Sequence, residues 1–501
     1  MNNSIERILE LTSWHDDWAG IRVAVLGLGV TGFSVADTLC ELGCDVTVIF
    51  GVADPTRQQL LEVIGAHAIE LESIDDQLGA LVELDPDLVI VSPGYRPDHP
   101  LTEWAESNGC VVWGDVQLAW RLRDKTTRVA DWITVTGTNG KTTTTQLTAH
   151  MLVAGGLRAA PVGNIGVPVL DAIRDPEGFD VLVVELSSFQ LARLGEISPF
   201  SSLCLNFADD HLDWHGSREA YWAAKAHIYK NTQVACVYNR ADEATEKMVV
   251  EAEVVEGARA ISFGLDTPGM SGFGIVDGIL CDRAFLDDRK NTALEISTVE
   301  ELAQRGLAAP HLLQNILAAA ALARSRGVEP AAISEALQHF ELDAHRAQLI
   351  AHLDGVSWID DSKATNAHAA SASLRAHNRV VWIVGGLLKG VDIDSLVEQS
   401  ASRLAGAVVI GLERAAILDA LQRHAPDIPA IEVVPGETES IMETAVRIAG
   451  SVASPGDTVL LSPAAASMDQ FNDYADRGEQ FIAAVKKLLG GEADGNSASE
   501  R

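Results

Sequence analysis

The sequence predicts an α/β protein of three domains, and three observations lead there. A chain of 501 residues is too long for a single hydrophobic core. Short β-branched runs, apolar along their whole length, alternate with helical stretches almost throughout. That is the pattern of parallel strands buried on both faces and joined by crossover helices. Two of these strands run straight into a glycine-bearing turn and a helix, at Val23–Leu39 and Ile133–Leu147, an arrangement that aims backbone N–H groups at phosphates. The N-terminal domain is therefore read as Rossmann-like and the central one as a phosphate-loop (P-loop) ATPase type.

The elements follow in order. Strands are expected at Val23–Leu26, Val46–Ile49 and Leu88–Ser92, then at Trp132–Thr136, Val181–Leu186, Ser202–Asn206 and Ala235–Asn239. The last part of the chain takes Val356–Asp360, Val380–Val384, Ala407–Ile410 and Thr458–Leu461. Ala-rich His311–Arg326 reads as a crossover helix, and Val255–Leu307 as a less regular stretch with a small antiparallel patch. Charged Arg121–Asp131 and the segment Glu341–Arg346 serve as linkers, which divides the chain into residues 1–128, 129–343 and 344–489. Residues 490–501, rich in Gly, Ser and acids, are expected to form a disordered tail.

Composition removes several function classes. With 37 basic against 71 acidic residues the formal charge is −34, which excludes a general binder of nucleic acid or anionic membranes. A nucleotide substrate stays open, because local amides, one lysine and a metal ion suffice to hold a phosphate. The N-terminus, MNNSIERILELTSWHDDW, lacks the basic-then-apolar pattern of a signal peptide. No apolar run approaches the roughly 18–20 residues that span a bilayer. Cys40, Cys44, Cys110, Cys204, Cys236 and Cys281 include no C-x-x-C pair. A soluble, reduced, cytoplasmic protein is expected, with the monomer as its default state.

In the first domain VAVLGLGVTGFSVADTL sets Gly27, Gly29 and Gly32 in a G-x-G-x-x-G turn between strand and helix. A dehydrogenase would add an acid at the end of the next strand to bind the adenosine ribose. Here Phe50 holds that place and Asp54 comes four residues late, so a different nucleotide is expected. SPGYRPDHP, Ser92–Pro100, follows another strand and offers a second turn against its phosphates.

The strongest signal is ITVTGTNGKTTTTQL. Gly137 ends a strand, Thr138, Asn139 and Gly140 form a short loop, and Lys141, Thr142 and Thr143 open a helix. Loop amides would cradle a polyphosphate, the lysine reach its terminal phosphates and a hydroxyl take Mg²⁺. Against the common G-x-x-x-x-G-K-[ST] pattern, Val135 occupies the first glycine position, so the loop is the shorter G-T-N-G-K-T-T.

Further polar residues sit at strand ends, where α/β enzymes bind ligands. ELSSFQL places Glu185 at the end of a buried strand, before Ser187, Ser188 and Gln190. A carboxylate there is costly without a cation, and Mg²⁺ is the natural one. NFADDHLDWHG presents Asn206, Asp209, Asp210, His211, Asp213 and His215, and Lys225 lies on an apolar, aromatic helix. Two questions stay open on the residues alone. His211, Asp213 and His215 could form a zinc site, against an oxygen-rich Mg²⁺ site. Lys225 could snorkel from its helix, or take up CO₂ as a carbamate.

In order over essentially the whole chain except the tail, GTNGKTT, GNIGVP, ELSSFQL, DHLDWHG, AAK, DDSKATN and SPAAASMDQF resemble the Mur ligase family. GLGVTG, SPG, DSKATN and SPAAASMDQF are most similar to its D-glutamate-adding branch. The resemblance implies an N-terminal UDP-sugar-binding domain, a central ATPase domain and a C-terminal Rossmann-like domain that receives the amino acid. It implies an ATP-dependent amide ligase that adds D-glutamate to UDP-N-acetylmuramoyl-L-alanine for peptidoglycan, through an acyl phosphate and a tetrahedral intermediate. ATP is co-substrate, two Mg²⁺ ions assist, and CO₂ enters as a lysine carbamate.

Residue by residue, the resemblance puts ATP on Gly137–Thr143, Asn315, Arg346, Asp361 and Lys363. The UDP-substrate falls to Gly27, Leu28, Gly29, Val30, Thr31, Gly32, Ser92, Pro93, Gly94, Asn164, Ser187 and Gln190. D-Glutamate falls to Thr365, Lys389, Ser467 and Tyr474; metal to Thr142, Glu185, His211 and carbamylated Lys225; catalysis to Lys141, His211 and Lys225. Four departures stand out. Phe50 replaces an acid that helps hold the uridine side, leaving Leu28, Thr31 and the Ser92–Gly94 turn. Leu387 and Leu388 stand in GGLLKG where aspartate and glycine are usual, HLLQN lacks one of two asparagines, and Tyr474 replaces phenylalanine. Rival readings are a sister ligase with another amino acid, folate extension, a non-catalytic ATP switch and a dehydrogenase. The intact G-x-G-x-x-G domain disfavours folate, Glu185 with His211 and Lys225 disfavours the switch, and Phe50 disfavours the dehydrogenase.

Overall fold

The alternation of apolar runs and helices resolves into three sheets in the computed structural model, which describes residues 2–51, 55–434 and 440–496. The first sheet is parallel: β1 (Arg22–Leu26), β2 (Asp45–Phe50), β3 (His67–Glu70), β4 (Leu88–Val91) and β5 (Val111–Gly114), in the order β3-β2-β1-β4-β5. The order reverses between β1 and β4, so the turns that follow these two strands leave the sheet side by side. That is where an open parallel sheet forms its ligand crevice.

The second sheet comprises β6 (Asp131–Thr136), β7 (Ala159–Gly163), β8 (Val181–Glu185), β9 (Ser201–Cys204), β10 (Ala235–Asn239), β11 (Arg259–Phe263), β12 (Gly272–Val276), β13 (Ile279–Asp282) and β14 (Leu294–Thr298). Their order is β14-β13-β12-β11-β10-β9-β6-β8-β7. Strand β6 therefore lies between β8 and β9, which sets the ends of those two strands on either side of whatever follows β6. The expected antiparallel patch is β12-β13-β14, joined to the parallel part through β11. Helix Pro310–Ser325, with proline in its first turn and a wholly buried alanine face, packs on helix Lys141–Ala154. The small side chains allow the close approach.

The third sheet comprises β15 (Gln348–Leu353), β16 (Val356–Asp360), β17 (Val380–Gly385), β18 (Leu404–Ile410), β19 (Ala430–Glu432) and β20 (Thr458–Leu461), in the order β15-β16-β20-β17-β18-β19. Only β15 is antiparallel. Strands Val380–Gly385 and Thr458–Leu461 are buried throughout.

Every strand expected from sequence is present, shifted by at most a few residues at its ends. The α/β class and the three-sheet organisation agree with the sequence. Strands without an apolar run escaped it: β3, β15 and β19 are edge strands that expose much of their length. Two features depart from the expected division. The final helix runs Tyr474–Asn496 through the segment expected as a disordered tail, and 497–501 lie outside the described residues. The chain also forms two compact units, Met1–Phe207 with Arg218–Phe340, and Ala208–Ser217 with Glu341–Arg501. Residues 208–217, expected in the central domain, thus group with the C-terminal part. No helix among the described residues is long and apolar enough to cross a membrane, and all six cysteines are free.

Candidate functional site

In the first unit the phosphate loop leaves buried β6 at Gly137, φ 155°, and enters helix Lys141–Ala154 through Gly140, φ 80°, its N-cap. Both conformations favour glycine. A Cβ at Gly137 would lie 2.9 Å from Leu205 Cβ, and one at Gly140 would lie 2.6 Å from Asn315 Oδ1. The loop is braced from the end of β9. Asn206 accepts from Asn139 N–H at 2.9 Å and donates to Asn139 O at 3.1 Å, and Thr138 N–H donates to Asn206 O at 3.1 Å. Lys141 Nζ donates to the carbonyls of Gly137 and Thr138, each at 2.9 Å, which holds the ammonium over the loop. Thr142 and Thr143 are buried in the first helical turn, while Asn315 comes from helix Pro310–Ser325 and is 5% exposed.

Two buried ionisable groups flank this loop. Glu185, at the end of β8, is 1% exposed. Its Oε1 accepts from Asn164 Nδ2 at 2.9 Å, and its Oε2 has no hydrogen-bond partner among the described residues. Asn164 also donates its backbone N–H to Glu185 O at 2.9 Å. Lys225, likewise 1% exposed, donates to Gly137 O at 2.9 Å and to Thr136 Oγ1 at 3.4 Å. A buried carboxylate oxygen without a donor is costly, and a cation beside it would relieve that cost.

The first-domain turn is built differently. Gly27 has φ 93°, Gly29 caps helix Val30–Glu41, and a Cβ on Gly32 would lie 2.0 Å from Gly27 O. Ser92 and Tyr95 close over Gly27, so the G-x-G-x-x-G and S-P-G turns adjoin. Leu28 is buried, Val30 exposed, and Thr31, Ser92 and Pro93 half-buried. Phe50 is 1% exposed and belongs to the core, and Asp54 lies outside the described residues. Arg174 pairs with Asp37 at 2.5 Å and Glu41 at 2.9 Å, and Ser34 donates to Asp171 at 2.5 Å. These contacts pin the helix behind the turn onto the central domain.

Ser187 and Gln190 form a capping box on helix Ser188–Ala192. Gln190 also donates to Asp115 Oδ2 at 3.0 Å. Burial pushes the Asp115 carboxyl up to about 6, against the opposing Gln190 hydrogen bond.

In the second unit Asp210, 4% exposed, is the hub of Ala208–Ser217. Its carboxylate meets Lys389 Nζ at 2.7 Å and Asn366 Nδ2 at 3.2 Å, and His211 Nε2 lies 3.6 Å away. His211 itself is left-handed, φ 52°, and caps helix Leu212–His215. Among the described residues no three His, Cys, Asp or Glu side chains converge as a metal site, so the zinc reading of His211, Asp213 and His215 gains no support. Arg346 lies between left-handed His345, φ 64°, and Ala347, φ 46°. Asp361 accepts from Ala347 N–H at 3.1 Å and from Ser373 Oγ. Burial pushes its carboxyl up to about 6, while those bonds and the Arg346 charge pull the other way. Lys363 Nζ donates to Tyr474 Oη at 2.9 Å. Leu387 exchanges two backbone bonds of 2.9 Å with Ala466, which sets GGLLKG beside buried Ser467. Thr365 follows Lys363 on the same loop.

Comparison with known proteins gives this arrangement a family. Residues 21–114 match the Mur ligase MurD-like N-terminal domain, 135–323 the Mur ligase middle domain and 345–465 the Mur ligase glutamate ligase domain. A UDP-N-acetylmuramoylalanine–D-glutamate ligase of Leifsonia xyli is 62% identical over 100% of this chain and 99% of its own. The chain belongs to the Mur ligase family. Ligases of the same name from Tropheryma whipplei, 46% identical over 97% of this chain and 99% of theirs, and Mycolicibacterium smegmatis, 42% over 94% and 97%, agree. Among solved structures, the Mur ligase MurC of Thermotoga maritima aligns at TM-score 0.55 with 20% identity, over 93% of this chain and 100% of that one. MurF of the same organism, in complex with ADP, aligns at TM-score 0.51 with 17% identity, over 98% and 100%. These two speak for the fold.

Within this Mur ligase, the first unit brings together the phosphate loop, Asn164, Glu185, Lys225 and Asn315. The second gathers Arg346 with Asp361, and Lys363 with Tyr474. Supporting residues that sequence reading did not assign are Asp115, Tyr221, Ser373 and Asn366. Tyr221 Oη, 3.1 Å from Thr138 Oγ1, lay in plain view beside Lys225 in YWAAK. Ser373 bonds Asp361 from the next helix, twelve residues on, while Asp115 and Asn366 act across sheets, a relation no local motif carries.

Proposed function

We infer that this chain is the ATP-dependent ligase that joins D-glutamate to UDP-N-acetylmuramoyl-L-alanine for peptidoglycan, acting as a cytoplasmic monomer. The observation that carries the reading is full-length agreement with relatives of that name. The phosphate loop supports it, braced and bearing Lys141. A carboxylate is a poor electrophile, so the L-alanine carboxylate first takes the γ-phosphoryl group of ATP. The amine of D-glutamate then attacks the acyl phosphate, and the tetrahedral intermediate collapses with loss of phosphate.

The residues divide the work. Amides of Gly137–Thr143 and the Lys141 ammonium hold and neutralise the phosphates, as phosphoryl transfer demands, with Asn315, Arg346, Asp361 and Lys363 on the rest of the nucleotide. Gly27–Gly32, Ser92–Gly94, Asn164, Ser187 and Gln190 take the UDP-substrate. Thr365, Lys389, Ser467 and Tyr474 take D-glutamate, and His211 orients the reacting groups. Glu185, with one buried oxygen lacking a donor, and the Thr142 hydroxyl fit an oxygen-rich Mg²⁺ site, and His211 joins the metal-side set. Mg²⁺, when bound, supplies charge neutralisation on the transferring phosphoryl group. Burial of Lys225 beside Gly137 fits a carbamate formed with CO₂, which would exchange a buried cation for a second metal-binding carboxylate.

The test is phosphate release from ATP with UDP-N-acetylmuramoyl-L-alanine and D-glutamate, L-glutamate or no amino acid. Release with D-glutamate alone, and a product heavier by one glutamyl unit, is expected. Release with another amino acid would overturn the assignment of the third domain.

A further inference from the structure

The amide oxygen of Gln190 and one of its two amide N–H groups are directed by the protein, which leaves the second N–H for a ligand. Oε1 accepts from Ser187 N–H at 3.1 Å and from Ser187 Oγ at 3.3 Å. Nε2 donates to Asp115 Oδ2 at 3.0 Å. A primary amide can flip end for end, and the two orientations present opposite polarity to a ligand. An ionised carboxylate only accepts, so Asp115 admits a single orientation of Gln190.

Asp115 reaches Gln190 from a different sheet. It follows β5 and opens helix Asp115–Arg121 behind the N-cap Gly114. The approach of the two segments is tight. A Cβ on Gly114 would lie 3.1 Å from Arg193 O, and one on Gly195 would lie 2.3 Å from the Gln117 side chain. Asp115 and Gln190 are both buried at this seam. Keeping a carboxylate there costs desolvation that an apolar residue would avoid, which makes a purely space-filling role a poor account of it.

We propose that Asp115 is a positioning residue for the UDP-substrate, acting from the N-terminal domain by fixing the orientation of the Gln190 amide in the central domain. The proposal rests on the reading of Gln190 as a substrate contact.

The experiment measures KM and kcat of the full-length enzyme for both substrates, with a melting curve for each variant. Asp115→Ala should raise KM for UDP-N-acetylmuramoyl-L-alanine about tenfold, with KM for ATP within about twofold of wild type. Asp115→Asn, which keeps an acceptor but can also turn its amide to donate, should recover only part of that loss. In a Gln190→Ala background Asp115→Ala should add nothing, because a residue acting through Gln190 has no route left. Equal rises in both KM values, an effect of Asp115→Ala that survives in the Gln190→Ala background, or no effect of Asp115→Ala where Gln190→Ala has one, would overturn the proposal. If Gln190→Ala leaves KM unchanged, the reading of Gln190 as a substrate contact fails first.

Discussion

The two glycine turns of the first unit start from the same design and end as different instruments. Each follows a buried central strand and opens a helix, yet only the phosphate loop carries a lysine and sits between buried Glu185 and Lys225. It is braced by Asn206 and abutted by Asn315. The first-domain turn has no cation of its own; Ser92 and Tyr95 pack on it, and Arg174 and Ser34 tie its helix to the central domain. The difference is that between holding a phosphate and moving one. Binding a finished diphosphate needs donors and shape, whereas transferring a phosphoryl group needs charge placed where charge develops.

The comparison breaks most sharply at the lysine. Lys141→Ala should lower kcat on the order of a thousandfold, whereas Thr31→Ala in the other turn should act only on KM for the UDP-substrate. Comparable kcat losses in steady-state phosphate release would erase the distinction. Next in size is Lys225→Ala, expected to be nearly inactive but partly restored by short carboxylates such as formate. Absence of rescue in a folded variant would count against the carbamate.

Glycine substitutions should separate the turns by substrate. Gly32→Ala would press a methyl 2.0 Å from Gly27 O and should raise KM for the UDP-substrate roughly tenfold, with KM for ATP nearly unchanged. Gly140→Ala, pressing on Asn315, should do the reverse. The smallest effect is on stability. The Asp115 carboxyl titrates near 6 in the folded chain against 3.8 as its ordinary value, so its contribution is favourable below about pH 4 and lost as pH rises through 6. Asp115→Asn should therefore gain a few degrees in Tm relative to wild type between pH 5 and pH 8. Thr143→Val, which removes a buried hydroxyl without a partner among the described residues, introduces no titrating group. Its melting shift should be the same at both values.

Sequence was most legible where one segment carries both structure and chemistry. GTNGKTT announced its loop because strand, glycines, lysine and helix are contiguous, and Glu185 was visible as an acid ending an apolar strand. Asp115 was not, since its meaning depends on Gln190, seventy-five residues onward. Asn366 stood inside a recognised motif, but its bond to Asp210 spans 156 positions. Edge strands such as His67–Glu70 escaped for the opposite reason: with most of their residues exposed, they lack the apolar signature of their buried neighbours. The departures Leu387 and Leu388 looked disruptive as letters. In the fold, Leu387 contributes backbone bonds to Ala466, which do not depend on the identity of its side chain.

The grouping of Ala208–Ser217 with the C-terminal part gives the chain three passages between its compact units, after Phe207, Ser217 and Phe340. For protein engineering, the C-terminal part is therefore not a cassette. A cut at Phe340 would strip Asp210 from Lys389 and Asn366, leaving a lysine without its carboxylate, while the other fragment would keep ten residues whose packing partners had gone. Domain exchange between members of the family would have to transplant both segments together, at three junctions rather than one.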